Sequence, residues 1–140
     1  MDNVGLVVSD LSAAVAFFTE LGLELEGETS VEGPWVDGTV GLTDVRCDIA
    51  MMRTPDGHTR LEIAQYANPP ATGGEADVPA NTLGIRRLMF LVDDLDGTMR
   101  RLAPLGAELV GTVQEFENIY RLCYFRGPDG IMLALAQELG

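Results

Sequence analysis

The strongest constraint on the fold of this chain is an internal repeat. The stretch from Asn3 to Leu25 returns 84 residues later, starting at Arg87, and seven of the 23 aligned pairs are identical. A second echo joins RTPDGHTRLEIAQ, which begins at Arg53, to RGPDGIMLALAQ, which begins at Arg126. A repeat of this length indicates a duplicated structural unit, so a functional position in one half has a counterpart in the other.

The repeated stretch has the pattern of a strand followed by a helix. Val4, Leu6 and Val8 alternate with other residues, which is the period of a strand. Asp10 is a favourable helix N-cap, and Gly22 stands where a left-handed residue would end the helix. Helical spacing predicts one buried face, which is made of Leu11, Ala14, Val15, Phe18 and Leu21.

The second copy repeats this pattern with one difference. Asp94 takes the place of the N-cap and Gly106 the place of the stop, but Pro104 removes a hydrogen bond from the last turn. We therefore expect the second helix to end early. Its predicted buried face consists of Leu95, Thr98, Met99, Leu102 and Leu105.

Three strand-like stretches follow each helix, so each half is predicted to be βαβββ. The predicted strands cover 23–29, 36–52 (broken near 43–44), 59–66, 107–114, 118–126 and 130–137. The predicted fold is α+β, with two tandem βαβββ modules forming a curved mixed sheet, the helices outside and a cleft in the centre. The predicted boundaries are 1–67 for the first module, 68–82 for a Pro- and Gly-rich linker, and 83–140 for the second module.

Charge and cysteine content exclude several classes of function. The net charge of −13 on 140 residues argues against nucleic acid and anionic membranes as partners. All nine basic residues are arginine, so neither a lysine Schiff base nor a P-loop lysine can be built. Cys47 and Cys123 lie in apolar stretches without metal or redox spacing, which favours two buried, reduced thiols.

No segment has the length of a membrane span or the charge pattern of a signal peptide, and we expect a cytoplasmic protein.

Three motifs are spread over essentially the whole chain: the V-G-L-V-V-S-D-L opening, F-F-T-E-L-G-L at the end of the first helix, and the paired P-D-G turns. In these motifs the sequence resembles the glyoxalase/bleomycin-resistance/dioxygenase group, the vicinal oxygen chelate superfamily. The resemblance implies a glyoxalase-like fold, a small-molecule ligand and a homodimer whose clefts often form between subunits. The same fold hosts lyases, epimerases, dioxygenases and non-catalytic drug binders, so it does not select a reaction.

The resemblance also implies four metal-ligand positions, one on the first and one on the last strand of each half. The repeat alignment places Asn3, Glu62, Arg87 and Ala134 there, where metal-binding relatives have His and Glu. Arg87 keeps its positive charge at any usable pH, and Ala134 has no donor atom. The chain has a single histidine, so one subunit cannot build a two-histidine triad. We predict no metal and no other cofactor.

The polar residues at these positions leave two interpretations open. If Glu62 and Arg87 face each other across the cleft, they form an ion pair that only neutralises two buried charges. Alternatively, Arg87 receives a ligand carboxylate, or Glu62 receives a ligand cation or a proton. Strand alternation would place Asn3 on the inward side of the first strand and Met89 beside Arg87 on the inward side of its counterpart.

Two further residues are candidates at the cleft. His58, the only histidine, follows a P-D-G turn and is a candidate general base, although turn placement favours an exposed, hydrogen-bonded role. Trp35, the only tryptophan, is expected in a loop between strands. There it either stacks on a planar ligand at the cleft mouth or packs over the sheet edge. Met89 would contribute to an adaptable apolar lining if it faces inward.

These observations favour a small-molecule-binding protein of the bleomycin-resistance type that lacks the usual metal ligands. The negative charge suits a cationic or amphipathic ligand. The alternative is an enzyme of the same superfamily, of the lyase, isomerase or dioxygenase type. Such an enzyme would be metal-free with Glu62 as the base, or metal-dependent through ligands that the sequence does not reveal. An interaction module is a third interpretation, supported only by the missing ligands.

Overall fold

The computed structural model describes residues 1–74 and 76–140 and divides into two compact units, Met1–Gly73 and Gly74–Gly140. The division falls inside the predicted linker, of which residue 75 lies outside the described residues. Each unit has its own mixed sheet, in which the first and last strands are parallel and the remaining pairs antiparallel. The prediction of an α+β fold built from two βαβββ-type units is confirmed.

The first unit contains four strands and two helices. Its elements are β1 (Val4–Val7), α1 (Leu11–Leu21), β2 (Glu24–Glu32), α2 (Pro34–Val40), β3 (Arg46–Arg53) and β4 (Arg60–Asn68). The strand order is β1-β4-β3-β2. Helix α1 covers one face of this sheet, because it packs on the strands through its buried residues Ala14, Phe17, Phe18 and Leu21.

The predicted caps of α1 are present. The Asp10 carboxylate accepts a hydrogen bond from the Ala13 backbone N–H at 3.0 Å, and Gly22 ends the helix at φ 122°. The predicted buried face is only partly right, since Val15 is half-buried whereas Phe17 is fully buried. Phe17 and Phe18 are adjacent and both pack inward, so the apolar stripe is wider than helical spacing from Leu11 indicates.

The predicted strand over 36–52 is wrong in its first part. Residues Pro34–Val40 form α2, and only Arg46–Arg53 form a strand. Pro34 occupies the start of the helix, where its fixed φ and missing N–H cost nothing. The Asp37 carboxylate then accepts hydrogen bonds from the backbone N–H groups of Asp44 and Val45, at 3.1 and 2.8 Å, and fixes the following loop.

The described residues of the second unit form one α-helix and five strands. Its elements are β5 (Leu88–Leu91), α3 (Leu95–Leu102), a 3-10 turn (Ala103–Leu105), β6 (Glu108–Leu109), β7 (Gln114–Phe116), β8 (Tyr120–Arg126), a second 3-10 turn (Pro128–Gly130) and β9 (Met132–Glu138). The strand order is β5-β9-β8-β6, and β7 also pairs with β8. The predicted strand over 107–114 is thus reduced to two short pairings with β8, at Glu108–Leu109 and Gln114–Phe116.

The early end of the second helix is confirmed. Pro104 falls in the 3-10 turn that follows α3, and Gly106 adopts φ 99° after it. Leu105, predicted on the buried face, is 46% exposed because the helix has already ended before it. Leu95, Thr98 and Leu102 are buried as predicted.

The second sequence echo has a structural reason. The Gln65 side-chain oxygen, on β4, accepts a hydrogen bond from the Leu11 N–H at 2.7 Å. The Gln137 oxygen, on β9, does the same for the Leu95 N–H at 2.8 Å. In each unit the last strand therefore satisfies an N–H that the first turn of the helix cannot satisfy internally. None of the described helices has the length and apolar character that crossing a membrane requires.

Candidate functional site

On the face of the first sheet opposite α1, one row of residues contains Glu62. We call the four positions that the resemblance assigns to metal ligands the family-equivalent positions, and Glu62 is one of them. Strand register places Glu62 on β4 between Gly5 on β1 and Met51 on β3. Leu61 and Ile63, which flank Glu62 in sequence, are buried on the α1 side. Because side chains alternate along a strand, Glu62 lies on the opposite side, which we call the open face of the first sheet.

The second sheet has the equivalent row. Register places Ala134 on β9 between Met89 on β5 and Tyr124 on β8. The pairings Gly5 with Glu62 and Met89 with Ala134 correspond under the repeat, so the structure reproduces the equivalence of Glu62 and Ala134. Ala134 is fully buried, whereas Met89 is 43% exposed on the open face of the second sheet.

Glu62 stands among apolar neighbours with no polar partner in its own unit. It is half-buried, and no hydrogen bond or ion pair reaches its carboxylate among the described residues of the first unit. Arg60, two residues earlier on the same strand, is instead paired with Asp2 at 2.8 Å. Asn3 donates its side-chain amide to the same Asp2 carboxylate at 2.8 Å.

Arg87 is held by an aromatic residue that the sequence interpretation did not single out. Its Nε donates a hydrogen bond to the Tyr124 hydroxyl at 2.5 Å, and its guanidinium carbon lies 5.2 Å from the centroid of the same ring. The repeat is the signal that could have found Tyr124. Its counterpart in the first unit is Met51, which pairs with Glu62 just as Tyr124 pairs with Ala134.

The donor atoms at the four family-equivalent positions do not suit a divalent metal. A guanidinium repels cations, a methyl group offers no lone pair, and an amide oxygen is a poor ligand for the metals that prefer imidazole. Among the described residues, no three His, Cys, Asp or Glu side chains are grouped so that they could hold a metal ion.

The prediction that Trp35 lies in a loop is wrong, because it belongs to the first turn of α2. The next residue, Val36, is buried with Val45 and Cys47. This cluster also contacts Ile49 and Ala64, which pair on the same side of the sheet as Met51 and Glu62. Helix α2 therefore covers one end of the open face of the first sheet. Trp35 itself is 64% exposed beside that end.

His58 lies in the turn between β3 and β4 rather than in the row of Glu62. Its side chain is 83% exposed, with Nδ1 at 3.5 Å from the Asp56 carboxylate. The Thr54 hydroxyl and the His58 N–H both donate to Asp56, at 2.6 and 2.9 Å, and these hydrogen bonds lower the pKa of Asp56. His58 is thus part of a hydrogen-bonded surface turn.

Both cysteines are buried, unpaired thiols, as predicted. Burial raises the pKa of each, and at Cys47 the charges of Asp48 and Glu62 raise it further. Because the thiolate is the reactive form, a raised pKa argues against a nucleophilic role for either thiol.

A shallow groove of about 590 Å³ lies on the other side of the first sheet, beside α1. Ser12, Glu28 and Asp48 contribute to its lining. In the second unit the counterparts of Ser12 and Asp48 are Asp96 and Arg121, which form a bidentate ion pair at 2.9 and 3.0 Å. We place the candidate site on the open faces, because Glu62 and Ala134 lie on the strand sides that face away from the helices.

Fold and site together define a protein built from paired βαβββ-type units, with open sheet faces that carry a few polar groups among apolar ones. The chain belongs to the Glyoxalase/Bleomycin resistance protein/Dioxygenase superfamily, whose family model matches residues 1–135. The resemblance drawn from the sequence motifs is therefore confirmed. A comparison with curated proteins found no match.

Solved structures similar to this chain include a glyoxalase family protein from Bacillus cereus. It shares 50% sequence identity with a TM-score of 0.96, over 100% of this chain and 94% of the other. A glyoxylase/bleomycin resistance protein/dioxygenase domain from Frankia sp. has 22% identity and a TM-score of 0.66, over 99% and 96% of the two chains. The fosfomycin resistance protein FosX from Listeria monocytogenes, solved with Mn(II), has 15% identity and a TM-score of 0.63, over 96% and 86%. The last two likenesses concern the fold alone.

Proposed function

We propose that this chain is a small-molecule-binding protein of its superfamily, without the superfamily's usual metal-ligand set. The observation that carries the proposal is the pair of equivalent rows on the open faces. The first row contains one polar anchor, Glu62, among apolar side chains. The second row has a polar anchor beside it, Arg87, which is bound to Tyr124 of that row. A few polar groups in an apolar surround are what small-molecule sites use to orient a ligand. Asn3 and Trp35 are proposed to contact a ligand at the open face of the first sheet, and Met89 at the open face of the second.

Binding is tested by titrating purified protein with a panel of amphipathic compounds of positive, neutral and negative charge. Calorimetry gives the affinity, and the Trp35 fluorescence reports on the end of the open face covered by α2. For a bound compound we expect Glu62→Gln to change the affinity by about fivefold or more, since a charged contact contributes about 1 kcal/mol or more. The direction of the change reports the charge of the ligand near Glu62.

The matched control for this test is Glu28→Gln. Glu28 pairs with the buried Ala50 of β3, so it lies on the α1 side of the same sheet. The Glu28→Gln variant removes one carboxylate charge from the first unit, as Glu62→Gln does, and we expect it to leave the affinity unchanged. A panel without any bound compound, or equal effects of the two variants, would contradict the proposed site.

The unpaired carboxylate of Glu62 within its unit favours a second candidate function, proton abstraction next to a carbonyl. A carboxylate among apolar groups is a suitable general base. In that case a bound carbonyl compound would exchange its adjacent C–H for deuterium in D₂O. Glu62→Gln would then abolish the exchange while the compound still binds. Stoichiometric Zn, Ni, Fe or Mn in the purified protein would instead favour a metal-dependent enzyme.

We also propose that the protein is a cytoplasmic homodimer. Apolar side chains on the open faces are solvent-exposed in the single chain, with Val7 at 51% and Leu91 at 64%. Exposed apolar surface of this kind marks interaction sites. Two unpaired thiols fit a reducing compartment. Sedimentation equilibrium should give twice the 15.1 kDa chain mass. A Leu91→Asp variant should sediment as a monomer, and a wild-type monomer at micromolar concentration would contradict the proposal.

A further inference from the structure

Given the small-molecule site proposed above, on which this assignment rests, we propose that Arg87 and Tyr124 anchor an oxyanionic group of the ligand, such as a carboxylate. The anchor belongs to the open face of the second sheet. A ligand that fits this anchor is a compact acid with an apolar body. The net charge of the chain alone would not suggest an acid.

The first support is the way Arg87 is held. The Tyr124 hydroxyl accepts a hydrogen bond from the Arg87 Nε–H, and the guanidinium carbon lies over the Tyr124 ring. These contacts fix the Arg87 side chain on its Nε side. A guanidinium has five N–H donors, and this contact uses one. The four on the two terminal nitrogens have no acceptor among the described residues of the second unit. They form a fork of the kind that binds a carboxylate through two parallel hydrogen bonds.

The second support is the charge around Arg87. Tyr124 is a neutral partner, so the positive charge of Arg87 is not compensated by a carboxylate among the described residues of its unit. Arg121 on the neighbouring part of β8 shows the opposite case, because both its terminal nitrogens bind Asp96. Of these two arginines, Arg87 has the capacity left for an external anion.

The third support is the surface beside the guanidinium. Met89, Ala134 and Tyr124 form a row across three strands. Ala134 is fully buried between them, so the accessible apolar surface of this row is the Met89 thioether and the Tyr124 ring. A hydrocarbon or aromatic body attached to the acid would pack against these two side chains.

The overall negative charge of the chain does not prevent this contact. At physiological ionic strength, charges more than about 8 Å apart are largely screened. The distributed carboxylates therefore mainly slow the encounter of an anion with the protein. The affinity is set by the hydrogen bonds formed at the guanidinium itself.

Three probes with the same ring and different charge test the assignment: benzoate, benzamide and benzamidine. We expect wild-type protein to bind benzoate about tenfold more tightly than either of the others, measured by calorimetry. Arg87→Gln should abolish this preference. Arg100→Gln is the matched control, because it removes one arginine from an exposed position on α3 of the same unit, and it should keep the preference.

Tyr124→Phe tests the positioning role of the phenol. It removes the hydrogen bond to Arg87 but keeps the ring, so benzoate binding should weaken about threefold while benzamide binding stays unchanged. A ring with a purely structural role would change both affinities together.

The outcomes separate this assignment from the proposed function. If benzamide or benzamidine binds as tightly as benzoate, or if Arg87→Gln keeps the preference, the anionic anchor is wrong although the protein still binds small molecules. If none of the three probes binds at millimolar concentration, the anchor is also wrong. The broader panel of compounds then decides whether the proposed function fails with it.

Discussion

Replacing Phe18 with alanine is expected to lower the free energy of unfolding by about 3–5 kcal/mol. Phe18 is fully buried on α1 and contacts Phe17 edge to face, with ring centroids 5.5 Å apart. Its removal loses the transfer free energy of the ring and leaves a cavity that the surrounding strands fill only partly. A domain of this size has about 5–15 kcal/mol in total, so this single change removes a large fraction of it. Urea denaturation followed by circular dichroism measures the effect.

Val15→Ala is the matched comparison on the same helix. Helical spacing predicted Val15 and Phe18 on one buried face, but Val15 is only half-buried and borders the groove beside α1. We expect its truncation to cost about 1 kcal/mol or less. Comparable losses for both variants would show that Val15 packs in the core in solution and that the observed placement of α1 is wrong.

Replacing Gly130 with alanine is expected to destabilise the protein by about 3 kcal/mol, and the same change at Gly57 by about 1 kcal/mol. Both glycines end P-D-G turns and both have φ 75°. A Cβ on Gly57 would meet open space, whereas one on Gly130 would lie 2.6 Å from the Cβ and carbonyl oxygen of Ala76. Only the second substitution therefore adds a steric clash to the cost of left-handed backbone.

The pair of variants isolates the contact between the second P-D-G turn and the segment before β5. The same segment is tied to β8, because Arg126 donates to the Val78 carbonyl at 2.5 Å. Thermal unfolding of Gly57→Ala, Gly130→Ala and wild type gives the two costs under identical conditions. Equal costs would mean that the segment at Ala76 moves away freely and that Gly130 is needed only for its φ.

Local sequence patterns predicted the elements whose signals are complete within a few residues. The caps Asp10 and Gly22, the early end of α3 at Pro104 and the burial of both thiols were all visible in the sequence. Each depends on short-range chemistry, namely an N-cap hydrogen bond, a positive φ or a missing N–H. Helix α2 was missed because a single buried residue, Val36, is too weak a periodic signal to distinguish a helix from a strand.

The candidate site shows the same division. The repeat alignment identified Glu62 and Ala134 as equivalent positions, and the strand register agrees with it. The partnership of Arg87 with Tyr124 was not visible, because 37 residues separate them. The two residues come together only because β5, which follows Arg87, and β8, which carries Tyr124, both pair with β9.

The amino-acid sequence by itself determined the duplicated unit, its capped helices and its alternating strands. These properties are written in residue types at fixed short spacings or in the repeat itself. Only the tertiary structure decided which polar groups are left without a partner, since that depends on what other strands bring alongside. It left the carboxylate of Glu62 unpaired within its sheet and gave Arg87 a neutral phenol instead of an acid.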